Sequence, residues 1–260
     1  MTKRWFSTLL GLCGLSVLTL AVLPACAQSA PTQRKPPMYS YIANWQIPRA
    51  HWSEMPQTAA ADKSIMDKAV ADGTIVGYGD DETLVHSADG ETHDDWWSSM
   101  SMAGLLKVLG QLYASGNTSS PALDAATKHW DLIYESHYYN WHPGAYKSAY
   151  TYVASYELKP DAPDNAVDTI SQNIVVPVLE KMLADGTLIE YEIDELSVHT
   201  QAPGSFSIVY LTPNPDGIDK IEAAIRDAVK GQPLIVPAFG SMTRASGHRD
   251  ELLLSEGTYK

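Results

Sequence analysis

The chain has 260 residues, with 31 acidic against 18 basic side chains, a formal net charge of −13 and 45% hydrophobic residues. An acidic chain repels phosphate backbones and anionic lipid heads, so nucleic acid and membrane surfaces are excluded as expected partners. The length suits one large domain or two of ordinary size.

Residues 1–27 read as a cleaved signal peptide: Lys3 and Arg4, an apolar run from Leu9 to Leu23, then the small-residue exit Ala25-Cys26-Ala27. The run is short of the roughly 20 apolar residues that span a bilayer, and no later segment approaches that length, so no membrane span is expected. The expectation is export to the periplasm or the exterior. Cys13 and Cys26 are the two cysteines, so a chain starting at Gln28 would contain no disulfide, cysteine nucleophile or thiolate metal site. A second reading makes Leu23-Pro24-Ala25-Cys26 a lipoprotein processing site with Cys26 lipidated.

Next, Tyr39–Ile47 alternates as a strand, and Ala61, Ile65 and Ala69 share a helical face that Gly73 closes as a C-cap. The phrase VADGTIVGYGDDETLVH, from Val70 to His86, supplies a second strand. A polar turn leads to a third strand at Trp96-Trp97, GLLKVLGQL from Gly104 to a helix, and HWDLIYES from His129 to a fourth strand. Residues 141–149, turning at Pro143-Gly144, read as a linker.

The same order then repeats. Tyr150–Leu158 matches the first strand. Val167, Ile170, Ile174 and Val178 share the next helical face, which Pro177 should kink and Gly186 should cap. LADGTLIEYEIDELSVH, from Leu183 to His199, answers the earlier phrase. Strand Ile208–Leu211 follows, then a helix with Ile218, Ile221, Ile225 and Val229 on one face, Asn214 as N-cap, Pro215 first and Gly231 beyond. HRDELLLS from His248 closes the second copy. Before it the second half is longer, in PLIVPAFGSMTRASG, a candidate lid, with Arg244 and Arg249 near enough to face an anion.

Two βαββαβ units, residues 38–140 and 150–260, give an α+β fold of two tandem ferredoxin-like units. The pair resembles the fused form of the dimeric α/β-barrel superfamily, which includes antibiotic-biosynthesis-monooxygenase-like proteins. The resemblance covers roughly residues 38–260 at the level of element order and brings no catalytic motif. It implies two four-stranded antiparallel sheets closed on each other with helices outside. Haem is known on this barrel type, but no axial-ligand motif is present, and no cofactor is expected.

Alternation puts Tyr39, Tyr41 and Trp45 on one face, matched by Tyr150, Tyr152 and Tyr156, and puts Tyr78, Glu82 and His86 on another, matched by Tyr191, Glu195 and His199. These faces are expected inside the barrel, lining a site for a small, partly apolar molecule between the two sheets. A bulge at Gly79-Asp80-Asp81 would break the pattern. The alternative is that the rings simply fill the interior.

Among eight histidines, His129 and His248 occupy matched positions, each followed two residues later by Asp131 or Asp250. An imidazole beside a carboxylate on one strand face is a general-base arrangement, and these four are the candidate catalytic residues of a cofactor-independent oxygenase or isomerase. Tyr78 or Tyr191 would hydrogen-bond the substrate. The alternative is capping of a sheet end. Metal binding by Glu82, His86, His129 and Asp131 is a third reading, without any short ligand spacing to support it, and no metal is assigned. A scaffold without a pocket is the remaining class. A monomer would already close the barrel, and further self-association is open.

Overall fold

The computed structural model describes residues 33–200 and 204–260. The expected signal peptide and both cysteines lie outside the described residues. The first half runs β1 (Met38–Gln46), a 3-10 turn (Arg49–Glu54), α1 (Met55–Ala71), β2 (Gly77–Thr83), β3 (His93–Ser99), α2 (Met102–Ser115), a short α3 (Pro121–Asp124) and β4 (Lys128–Trp141). The chain then turns through His142-Pro143 alone. The second half runs β5 (Gly144–Glu157), α4 (Ala166–Ile170), a π-helical segment (Ser171–Val175), α5 (Val176–Ala184), β6 (Glu190–Leu196), β7 (Ser205–Thr212), α6 (Asp216–Lys230), α7 (Ile235–Met242) and β8 (Arg249–Tyr259).

Local chemistry fixes the helix ends. Gly73 and Gly186 sit at φ 78° and 79°, two residues beyond the ends of α1 and α5, where a side chain would be strained. Ser101 caps α2 by accepting from the Gly104 N–H at 3.1 Å. Pro177 has no N–H to offer the Asn173 carbonyl, and the helix widens into the π segment just before it. Gln232 Nε2 donates to that orphaned carbonyl at 3.1 Å. Among the described residues, no helix is long and apolar enough to cross a membrane.

Strand pairing corrects the expectation of two tandem ferredoxin-like units with facing four-stranded sheets. All eight strands form one closed antiparallel barrel in the order β1-β3-β2-β8-β5-β7-β6-β4. Two separate sheets would leave rows of backbone N–H and C=O groups unpaired. Instead β4 pairs with both β1 and β6, and β8 with both β5 and β2, so these two strands join the halves. The expected space between two sheets is therefore the inside of a single barrel. The register of β2 runs unbroken from Gly77 to Glu82, without the bulge considered at Gly79-Asp80-Asp81. The register shifts instead in β4, between Ser136 and Tyr138, and in β5, between Tyr146 and Ala149.

The inward orientation expected of the ring-bearing faces is also overturned. Tyr41, Tyr78 and Trp97 pack against Met66 and Ala69 of α1 and Leu105, Val108 and Leu112 of α2. Tyr152, Tyr156 and Tyr191 join Leu179 and Leu183 of α5 and Ile221 of α6. The rings offer the helices broad apolar area, and phenolic hydroxyls reach helix carboxylates: Tyr78 Oη donates to Asp67 and Tyr191 Oη to Glu180, both at 2.6 Å.

The opposite, inward face is strongly acidic. Asp81, Asp94, Glu190, Glu192 and Asp194 are all buried there, with Ser40, Ser98, Ser136 and Ser255. One end is filled by Trp96 and Tyr259 with Trp141 and Tyr146. Burial pushes Asp81 and Asp194 up to about 7, and holds Asp94, Glu190 and Glu192 well above the usual carboxylate range, with neighbouring carboxylates adding to the rise in those three. Gly79 and Gly257 face each other across β2 and β8. A Cβ on Gly257 would lie 2.5 Å from the Tyr78 carbonyl oxygen and 2.6 Å from Tyr146 Oη.

Candidate functional site

A cavity of about 320 Å³ lies outside the barrel wall, between the β1-β3-β2 face and helices α1 and α2. Alternation in β1 presents Tyr41, Ala43 and Trp45 to it, and β3 presents Trp97. Tyr41 and Trp97 stack at 4.3 Å, with Met66, Leu109 and Leu112 completing an apolar wall. Trp45, also on the cavity, has a buried indole N–H without an acceptor, a donor available to a ligand carbonyl.

One end is basic in function. His129 stacks on Trp45 at 3.6 Å and its Nδ1 lies 3.0 Å from the Asn44 carbonyl oxygen. A carbonyl only accepts, so Nδ1 carries the proton and Nε2 is the nitrogen free to take another. Asp131 stands 3.3 Å from Nε2, placed to stabilise an imidazolium, and it also receives the Tyr41 hydroxyl. Burial, followed by the Asp131 charge, pushes the Tyr41 hydroxyl well up, so it stays a donor at neutral pH.

The other end is acidic. Asp80 and Asp95 are cross-strand partners, hydrogen-bonded to each other, and burial raises both, Asp95 far more than Asp80. A proton is therefore retained there to hydrogen-bond a ligand oxygen. Asp62 of α1 is raised by burial too, and one of its oxygens has no partner. Lys63 Nζ binds Asp67 at 3.0 Å and Tyr78 Oη at 3.1 Å, fixing Tyr78 at the rim.

The sequence-predicted residues divide accordingly. Tyr41, Trp45, Tyr78, His129 and Asp131 come together on this cavity. Tyr39 packs beside it on the same cluster. Glu82 and His86 do not line it: β2 ends at Thr83, and exposed His86 stacks on Trp52 at 4.9 Å. The four residues of the metal reading are thus not gathered. Among the described residues, no group of three or more His, Cys, Asp or Glu could hold a metal ion.

In the second half, Tyr152 stacks on Tyr210, and His248 lies 3.4 Å from Asp250 and stacks on Tyr156. Tyr150 shares their strand face, paired with Leu254. Tyr191 is fully buried under α5, and His199 is exposed beyond the end of β6. Glu195 lies in a separate polar depression with Arg34, Glu135 and His137. Arg244 pairs with Glu157 at 3.2 Å.

Sequence reasoning missed the acidic end. Its signal was the two Asp-Asp doublets, at 80–81 and 94–95, on successive strands: alternation sends one Asp of each to the helix side and the other into the barrel.

No protein-family model matches the sequence, and no curated protein matches it. Solved structures do match in fold. A candidate monooxygenase from Lactobacillus acidophilus NCFM superposes with a TM-score of 0.60 at 10% identity, over 85% of this chain and 94% of its own. One from Fusobacterium nucleatum subsp. nucleatum ATCC 25586 gives 0.59 at 9% identity, over 87% and 95%. An anthrone oxidase-like protein gives 0.53 at 9% identity, over 86% and 94%.

Proposed function

We propose, from the premise that this chain has the fold of the dimeric α/β-barrel superfamily, that it is an oxygenase-type enzyme acting on a flat, partly apolar aromatic molecule in the first-half cavity. The observation that carries the reading is the cavity itself: stacked Tyr41 and Trp97 as an aromatic wall, a His129–Asp131 base at one end and proton-bearing Asp80–Asp95 at the other. A ring ketone with an activated CH₂, of the kind anthrone represents, fits both ends. Its carbonyl would accept from the acidic pair or from Trp45 Nε1, and His129 Nε2 would take the CH₂ proton. The resulting carbanion is electron-rich enough to reduce O₂ directly, and the CH₂ ends as C=O with one water released. Asp131 and Tyr41 act as positioning residues around the base. Oxygen uptake with anthrone as probe tests this. His129→Ala should lower kcat by about 10²–10⁴-fold with little change in Tm. Wild-type turnover by that variant, or no binding of anthrone to the wild type, would sink the proposal. Export of a chain beginning at Gln28 belongs to the same reading.

A further inference from the structure

The second half repeats the His-Asp end of the cavity residue by residue, while Ile193 and Ile208 are paired where the first half pairs Asp80 with Asp95. Tyr152 stacks on Tyr210 at 5.2 Å as Tyr41 does on Trp97. His248 stacks on Tyr156 at 4.5 Å as His129 does on Trp45. His248 Nδ1 faces the Ser155 carbonyl at 3.2 Å, Nε2 faces Asp250, and Asp250 receives the Tyr152 hydroxyl. An imidazole with Nδ1 on a backbone carbonyl and Nε2 facing a carboxylate is thus built twice in one chain.

A further difference is α7, which stands between α6 and β8 where the first half has only the short α3. Its Phe239 stands edge-on to Tyr156 at 5.0 Å, and Phe239 and Met242 pack with Leu158 and Tyr156 on the second-half core. Yet α7 is weakly rooted. None of its residues is fully buried, Val236 is 58% exposed, and Leu234 at its start is 81% exposed. It is held by Lys159 Nζ, which donates to the Gly240 and Ser241 carbonyls at 2.8 and 2.9 Å, and by backbone contacts from Lys159 and Arg244 to either side. An apolar helix that buries so little of itself, with one ring set edge-on to Tyr156, is built as a plug.

We propose that the second half holds a second binding site for a flat phenolic or aromatic ligand, edge-on to Tyr156, whose faces His248 and Phe206 cover, and hydrogen-bonded to His248, and that α7 closes it with Phe239 in the ligand's place. The ligand class rests on the reading of the first-half cavity; the existence of the site rests on the duplicated geometry.

Equilibrium dialysis of the full chain with 2-naphthol tests this. The wild type should bind one molecule per chain. Phe239→Ala should bind two, and Phe239→Ala with His248→Ala should return to one. Lys159→Ala leaves the plug's shape intact and loosens only its latch. It should tighten the second site about tenfold or more, as loss of charged hydrogen bonds would. A Phe239→Ala protein that melts normally and still binds one molecule overturns the inference. So does a second site that survives His248→Ala. If the wild type binds none while Phe239→Ala binds one in a His248-dependent manner, the first-half reading fails and the second site stands.

Discussion

Asp194→Asn should stabilise the protein at pH 8 and change it little at pH 4. Asp194 points into the barrel, 2% exposed, where it accepts a hydrogen bond from Ser136 and lies beside Glu192. Burial pushes it up to about 7, with the bonds from Ser136 and Glu192 offsetting only part of the rise. In the unfolded chain the same carboxyl titrates near about 3.9. Between those values the folded state keeps a proton that the unfolded state has released, so stability is fully present below about pH 4 and falls as pH rises to about 7. Three pH units at about 1.4 kcal/mol each give a loss of at most about 4 kcal/mol. An amide of the same shape has no such ionisation, so the variant escapes the loss. Urea unfolding should place its midpoint about 1–2 M above wild type at pH 8 and close to it at pH 4. An equal difference at both pH values, or a wild type most stable above pH 8, would refute the reasoning.

Gly257→Ala should cost about 1–3 kcal/mol, because the added methyl meets a backbone carbonyl and the buried Tyr146 hydroxyl; an unchanged thermal midpoint would disprove the close approach of β2 and β8. The intact mass of protein recovered from the exported fraction should correspond to a chain starting at Gln28. A lipid on Cys26 would instead select the lipoprotein reading, and a retained Met1 would exclude export by cleavage.

Strand positions were legible because β-branched and aromatic residues alternate over short lengths, and because Gly73 and Gly186 mark helix ends that need a positive φ. Repetition made the order of elements readable twice over. Period-two alternation shows that Tyr39, Tyr41 and Trp45 share a face, but it is silent on which side of the sheet that face lies. The expectation that the rings line a ligand site turned those faces inward, whereas here the helices take the rings and the carboxylates go inside. His86 was lost for a plainer reason: the pattern was extended past Thr83, where β2 stops. Closure was invisible because it depends on β4 and β8 each reaching a strand of the opposite half. The His-x-Asp spacing did locate one end of the cavity, since two residues along a strand return to the same side. Asp95 and Asp62 become partners of that site only through the lateral pairing of β2 with β3 and the docking of α1.

Closure of the barrel also decides how this molecule can meet others. Each of the eight strands among the described residues already has two hydrogen-bonded neighbours, so the barrel offers a foreign peptide no open edge strand to extend. Whatever approaches must be read by side chains on the helical coat or at the cavity mouth, where the two halves have been free to diverge.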